Sequence, residues 1–473
     1  MDYSNVKKIH FLGIKGVGVA PLAIIAKQAG FIVSGCDVAE TFITESSLHS
    51  VGITPLVGFD PSHIQDVDLV ITTGAHGGFD NPEIKAAKEK NIPIITQGEA
   101  VGIFMTGAIF GKKLQGISVT GCHGKTTTTA MIATLFKVAG KDPSFIIGTG
   151  DIPSLGTSGA YGNGEYFIAE ADEYATEPKY NKKPKFLWQY PQILVITNVE
   201  YDHPDVYKTM DDVVAAYTEF TKHVEEKGVL IANGDDLYTK KILEQYKGRK
   251  ILFGTSMDND FVLSNVVIEN GKTTFSVLHS GEKDLYTVSV IGKHNALNAL
   301  ASIIAAKEAG VQNTDIQKGL LAFRGTKRRL EYKGVLPTGA ILYDDYAHHP
   351  TEIASSLQAL KDMYPNKHLV CIFQPHTYSR TKLLFDQFIS SFKAADIVIL
   401  TDIFASAREA MDPSISSEIL AQGVKQYQSN VLYLSKLPDV VKYINDQKYQ
   451  ADTVVVTMGA GDVYQIADSI LSK

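Results

Sequence analysis

The residues most suited to chemistry lie between positions 114 and 129, LQGISVTGCHGKTTTT. Gly121, Cys122, His123, Gly124, Lys125 and Thr126 read as a phosphate loop between an apolar strand, 116–119, and a helix, 127–139. Glycines let the backbone approach a phosphate, and the N–H groups opening a helix, from Thr127 on, make an anion site. Lys125 is placed to meet terminal phosphates and Thr126 to ligate Mg2+. The loop is shorter than the common G-x-x-x-x-G-K-[ST], whose first glycine would fall at Val119. For the tripeptide GKT alone, a helix cap on a surface turn reads as well as a nucleotide site. The strand before it, the helix after it and a second strand, 166–169, favour the nucleotide. That second strand runs into Glu170-Ala171-Asp172-Glu173, where a carboxylate leaving a strand end could hold a metal.

Elements of an α/β chain must position these groups. At 473 residues, two to four domains are expected. The N-terminal part reads as strand 6–12, a glycine turn at 13–18, helix 20–29 and a strand from 31 that ends at Asp37. This is the start of a dinucleotide-type fold, with Pro21 standing where a third glycine would be, so a purely structural tight turn reads equally well. Segments 69–73 and 93–96 continue the alternation, giving a first domain over 1–105. Strand 193–198, helix 210–224, strand 228–232 and a β-rich 250–291 follow within a second domain, 106–325. A basic stretch, FRGTKRR at 323–329, reads as a hinge. Strands at 340–345, 369–373, 397–402 and 453–458, separated by helical segments, make a third domain, 326–473.

Composition bounds the partners. Hydrophobic residues at 44% and charged residues at 21% are those of a soluble globular protein, and a net charge of -7 with no long basic run argues against nucleic acid. No apolar run reaches the length of a membrane span and no secretory signal is recognisable, so a cytoplasmic location is expected. Cys36, Cys122 and Cys371 are scattered singly, which excludes a disulfide framework and a thiolate zinc site.

The set GCHGKTTTT, EADE, TNVEYDH, GKHNALNA, FRGTKRR, DDYAHHPTE and FQPHTYSR, in that order over essentially the whole chain, resembles the Mur ligases of peptidoglycan synthesis, in particular the alanine-adding branch. The resemblance implies an N-terminal Rossmann-like UDP-binding domain, a central phosphate-loop ATPase domain with a mostly parallel sheet, and a C-terminal Rossmann-like α/β domain for the amino acid. It also implies that ATP phosphorylates the carboxylate of UDP-N-acetylmuramate and that the amine of L-alanine attacks the acyl phosphate, Mg2+ being the cofactor. Lys125 would stabilise the transferring phosphoryl group, Thr126 and Glu170 hold one Mg2+, and His203 serve a second. Asn295 and Asn298 would contact the nucleotide, and Arg329 and Asp345 would close on ATP. Tyr346, His348 and Arg380 carry the amino-acid side, Arg380 matching an α-carboxylate bidentately. His348 or a nearby carboxylate could take the proton of the amine. On the UDP-sugar side, Gly16, Val17 and Gly18 suit a pyrophosphate, with Asp37, His76 and Asn81 as further candidates. A monomer or weak homodimer is expected.

Two features depart from that pattern. Lys15 and Val19 interrupt the glycine-rich turn, and residues 174–191, YATEPKYNKKPKFLWQYP, are longer than expected of alanine-adding members. The long segment is similar to that of the recycling ligase that attaches a tripeptide to UDP-N-acetylmuramate, the nearest rival reading; its bland reading is a solvated loop anchored by Phe186 and Trp188. A phosphate-loop ATPase switch of unrelated role would share Lys125 and Glu170 but has no use for Arg380. Cys122, at a helix N-terminus, is expected either to carry a reactive thiolate or to be a small buried filler.

Overall fold

The computed structural model describes residues 3–405 and 409–471. The chain divides into two compact units, residues 1–265, 275–287 and 297–326 in one and 266–274, 288–296 and 327–473 in the other. The first unit holds two large sheets and a two-stranded hairpin, so the first two domains expected from sequence fall in one compact unit.

The N-terminal sheet is parallel, in the order Leu56–Val57, Ile32–Asp37, Lys8–Leu12, Leu69–Thr72, Ile94–Thr96. Its first strand is central, with its chain neighbours on opposite sides. The crevice beyond the carboxyl ends of Lys8–Leu12, Ile32–Asp37 and Leu69–Thr72 is therefore a topological switch point, where α/β sheets bind ligands. Near-continuous apolar strands such as Leu69–Thr72, buried throughout, fit a sheet covered on both faces. Helix Ala20–Gln28, with Pro21 at its start, covers one face by burying Leu22, Ile24 and Ile25.

The second sheet repeats the logic. Gln115–Thr120 lies between Tyr166–Glu170 and Ile193–Ile196, parallel to both, with Val119 opposite Glu170 and Thr120 opposite Ile196. Val229–Asn233 and Lys250–Gly254 extend it on one side, Ser144–Ile146 and the antiparallel Gly159–Ala160 on the other. The phosphate loop again leaves the central strand at a switch point. Residues 174–191 are not a plain solvated loop: Ala175–Glu177 and Asn181–Pro184 pair as an antiparallel hairpin. Their anchors are as expected, Phe186 being fully buried and stacked on Phe220 with centroids 4.6 Å apart.

In the second unit, Ile341–Asp345, Thr453–Met458, His368–Phe373, Ile397–Leu400 and Val431–Tyr433 form a parallel sheet. An antiparallel edge strand, Glu331–Val335, lies directly after the basic stretch. Its alternating exposure explains why no apolar run announced it. Among the described residues no helix is long and apolar enough to cross a membrane.

Candidate active site

Strand Gln115–Thr120 is buried from Gly116 onward, and four residues separate it from helix Lys125–Val138. The turn between them needs glycine twice. Gly121 has φ +132° and Gly124 φ +82°; a Cβ on Gly121 would lie 2.1 Å from Thr197 Oγ1, and one on Gly124 2.4 Å from Asn298 Oδ1. No side chain caps the helix, so its first N–H groups point into the loop. The His123 N–H donates to Asn198 Oδ1 at 2.9 Å, tying the loop to the end of strand Ile193–Ile196.

Lys125 is turned back on its own loop. Its ammonium donates to Gly121 O at 2.6 Å, Cys122 O at 3.4 Å and Glu173 Oε1 at 2.9 Å. Burial would lower its pKa, but the Glu173 and Asp172 carboxylates outweigh that and raise it, so Lys125 stays charged. Thr126 Oγ1 donates to Glu170 Oε1 at 3.0 Å, and Glu170 Oε2 accepts the Gly148 N–H at 2.9 Å. Burial raises the Glu170 carboxyl despite the nearby Lys125. Hydroxyl and carboxylate oxygens in contact, with a charged lysine alongside, are the donor set that Mg2+ takes beside a triphosphate. Glu173 supplies a further oxygen: it is 2% exposed and its Oε2 has no hydrogen-bond partner among the described residues.

His203 comes to the same place from the other side. Its Nε2 lies 3.5 Å from Glu173 Oε1 and 3.7 Å from Asp202 Oδ2, with the Tyr174 ring against it at 5.1 Å. It holds φ +57°, the left-handed region that a branched-Cβ-free but non-glycine residue adopts at a cost, and its carbonyl accepts the N–H groups of Val206 and Tyr207 at 2.9 Å each. Asp172 pairs with Lys185 at 2.8 Å; burial raises its carboxyl, but Lys185 and Lys125 hold it well below the usual carboxylate range.

Cys122 is held between two backbone groups. Its Sγ donates to Glu200 O at 3.0 Å and accepts the Glu200 N–H at 3.1 Å. Burial, with the Glu173 carboxylate, pushes the thiol well up.

At the N-terminal switch point, the Gly16 N–H donates to Gly13 O at 3.0 Å and Gly16 O accepts from Val19 and Ala20, closing the turn that carries Val17 and Gly18. No side chain caps helix Ala20–Gln28; with the Ala20 N–H bonded to Gly16 O and Pro21 lacking one, the Leu22 N–H is the first-turn donor left for an anion. Asp37, buried at a strand end, accepts the Lys15 N–H and the Val38 N–H at 2.8 Å each, and lies 3.3 Å from His76 Nε2. Lys15 is folded away, its ammonium bonded to Glu40 O and paired with Glu45. Asn81 takes a structural position: its Oδ1 caps helix Pro82–Glu89 through the Glu83 N–H at 3.0 Å, and its Nδ2 donates to His76 O at 3.0 Å. Below this crevice Glu83, wholly buried, collects His10 Nε2, His63 Nδ1, the Cys36 thiol and the Asp60 N–H within 3.0 Å.

In the second unit the carboxyl ends of the sheet gather the amino-acid candidates. Asp345 ends strand Ile341–Asp345; burial pushes its carboxyl up to about 6 despite Arg329, and its Oδ2 has no hydrogen-bond partner among the described residues. Tyr346 lies between the Arg328 and Arg329 guanidiniums, each 5.1 Å from its ring centre. Arg329 Nη1 is 3.2 Å from Glu352 Oε1, and Glu352 Oε2 accepts the His348 N–H at 3.1 Å. His348 Nδ1 lies 3.1 Å from Tyr346 O. Arg380, 6% exposed in helix Tyr378–Leu383, places Nη1 3.3 Å from His376 Nδ1. Asn298 sits in the first unit against Gly124, whereas Asn295 groups with the second and donates from Nδ2 to Ile291 O at 2.8 Å.

Sequence reasoning passed over Glu173 as a functional group. Its signal was present, a third carboxylate in EADE, but which acid meets Lys125 depends on the turn after the strand. His376, next to Thr377 with its positive φ, was likewise carried inside FQPHTYSR without being singled out.

Three families match in series: the Mur ligase family, catalytic domain, over residues 8–108, the Mur ligase middle domain over 119–306, and the Mur ligase, glutamate ligase domain over 328–461. The chain is 38% identical over 465 residues to the UDP-N-acetylmuramate–L-alanine ligase of Desulfitobacterium hafniense, covering 98% of this chain and 99% of that one. It is 39% identical over 468 residues to the ligase of the same name from Clostridium novyi, covering 99% and 98%. The crystal structure of UDP-N-acetylmuramate-alanine ligase from Thermotoga maritima superposes with a TM-score of 0.80 at 28% identity, over 98% of each chain. A murein peptide ligase from Psychrobacter arcticus shares the fold at a TM-score of 0.68 and 24% identity. With three family models in series and relatives at 38–39% identity over nearly the full length, the chain belongs to the Mur ligase family.

Proposed function

We infer that this enzyme joins L-alanine to the carboxylate of UDP-N-acetylmuramate at the expense of ATP. The observation that carries the substrate assignment is identity of 38–39% over nearly the full length to ligases of that name, the amino-acid-handling part included. A carboxylate is a poor electrophile, and transfer of the γ-phosphoryl group to its oxygen makes that oxygen a leaving group. Attack by the neutral amine then expels phosphate and gives the amide, with ADP released.

The residues divide this work. The N–H groups of 124–127 would cradle phosphate oxygens, and Lys125 would neutralise charge on the group in flight. Thr126 and Glu170 would hold one Mg2+, and His203 a second, with the open Glu173 Oε2 beside them. Bound there, Mg2+ supplies charge neutralisation between triphosphate and carboxylate oxygens. Gly16, Val17 and Gly18, with the N-terminus of the following helix, receive the pyrophosphate, next to Asp37 and His76. Asn298 would add a nucleotide contact beside Gly124, and Asn295, Arg329 and Asp345 are the second unit's candidates for the nucleotide. Arg380 orients the α-carboxylate of alanine, and His348, whose Nδ1 lies against Tyr346 O, presents Nε2 as the nitrogen able to take the proton of the amine.

The test is phosphate release from MgATP with UDP-N-acetylmuramate, L-alanine in one arm and L-alanyl-γ-D-glutamyl-diaminopimelate in the other. Release driven by alanine is expected. Release driven only by the tripeptide, or ATP turnover indifferent to both, would sink the assignment.

A further inference from the structure

The hairpin in residues 174–184 leaves the metal-side acids and reaches the loop that carries His76 and Asn81. Its strands, Ala175–Glu177 and Asn181–Pro184, start directly after Glu173, and Lys185 returns to pair with Asp172. Its base is fixed on both sides. Trp188 Nε1 donates to Thr176 Oγ1 at 2.9 Å, while Trp188 itself packs on helix Gln97–Thr106, where a Cβ on Gly102 would lie 2.0 Å from Trp188 O. Its tip meets residues 74–80. Tyr180 Oη donates to Asp80 at 2.9 Å, Lys179 pairs with the same carboxylate, and Tyr180 lies 6.3 Å from the Phe79 ring.

The contact is close enough to exclude side chains. A Cβ on Gly74 would stand 2.6 Å from Pro178 Cδ, and one on Gly78 2.2 Å from Glu177 Oε1, whose side chain is 3% exposed. Between these two glycines His76 holds φ +54° with its Nε2 toward Asp37, a conformation that a non-glycine residue keeps only where neighbours enforce it. Asn81 fixes one side of that turn and the hairpin the other.

We propose that the 174–184 hairpin is a positioning element for the UDP-sugar: Glu177, Pro178 and Tyr180, from the ATPase part of the chain, hold the 74–80 loop in the shape that keeps His76 at Asp37. This rests on the assignment of that crevice to the UDP-sugar. The hairpin also joins the substrate crevice to Asp172 and Glu173, so the sugar-binding loop is set by the segment that borders the phosphate loop.

Steady-state kinetics on Gly74→Ala, with and without Pro178→Gly, test this. The added methyl should raise KM for UDP-N-acetylmuramate about tenfold, with kcat and KM for ATP within about twofold, and Pro178→Gly should bring most of it back. Tyr180→Phe, at the exposed tip where folding is not at risk, should raise the same KM about two- to fivefold. Equal rises in KM for ATP, no change in either KM, or failure of Pro178→Gly to restore Gly74→Ala would overturn the proposal. Amide exchange over 74–80 in ligand-free Tyr180→Phe is an arm independent of the substrate. Faster exchange there is expected, and exchange equal to wild type refutes the hairpin's role. A wild-type enzyme indifferent to UDP-N-acetylmuramate would remove the functional assignment and leave this arm to judge the hairpin.

Discussion

Replacing Asp345 with asparagine should stabilise the C-terminal unit at neutral pH while abolishing turnover. The Asp345 carboxyl is 3% exposed, and burial lifts it from 3.8 to about 6 despite a hydrogen bond from Ser356 and the charge of Arg329. A group whose pKa is higher folded than unfolded favours the fold below the unfolded value, and that contribution is lost as pH rises through the folded value. Above about pH 6 the fold therefore carries the cost of a buried carboxylate. Two units at about 1.4 kcal/mol each give about 3 kcal/mol. A buried asparagine amide returns about 1 kcal/mol of that in unsatisfied hydrogen bonding, leaving a gain of about 2 kcal/mol. His294 acts in the opposite sense: burial depresses it to about 4, so its contribution is present above 6.5 and lost as pH falls through about 4. Comparing variant with wild type at each pH removes the His294 effect. The assay is urea unfolding followed by amide exchange in strand Ile341–Asp345, at about pH 7.5 and about pH 4. A gain at the higher pH that vanishes at the lower is expected. Equal destabilisation at both would refute the argument.

Lys125→Ala should abolish acyl-phosphate formation while UDP-sugar binding, measured by calorimetry, stays near wild type. It should also lower ligand-free stability by about 3 kcal/mol, since Glu173 loses its partner, and Glu173→Gln in the same chain should recover much of that in a thermal melt. Cys122 should react with iodoacetamide at less than about a tenth of the rate of a free thiol near pH 7.5, as read by mass spectrometry, because burial, helped by Glu173, keeps it protonated. Asn81→Ala removes a helix cap and should cost about 1 kcal/mol in urea unfolding.

The phosphate loop could be read from the sequence because its signal is local: an apolar strand, two glycines, a lysine and a helix within about one βα unit. The same holds for the strand ends at Asp37, Glu170 and Asp345, each an acid closing an apolar run. What sequence concealed depends on contacts between distant segments. Glu173 and Glu170 are three residues apart in EADE and look equivalent, yet one meets Lys125 and the other Thr126. Asn81 has a role invisible in sequence, because a cap and a ligand use the same amide: its oxygen accepts the Glu83 N–H at 3.0 Å. The hairpin hid for a different reason, its polar KYNKK tip having the composition of a solvated loop while Gly74 and Gly78, a hundred residues earlier, make room for it. Lys15 likewise broke a glycine pattern on paper, but its side chain is carried out of the crevice to Glu40 and Glu45.

The ammonium of Lys125, satisfied by two loop carbonyls and Glu173 before any nucleotide arrives, shapes the calorimetry of ATP binding. Entry of the triphosphate exchanges one set of charged hydrogen bonds for another instead of adding a set. The exchange returns little heat, so the association should draw mainly on released solvent and ions, and its affinity should fall steeply with added salt. An inhibitor built to carry more negative charge toward the loop gains little from Lys125. One that offers a cation to Glu173 while accepting the N–H groups of the loop meets both halves of the ion pair.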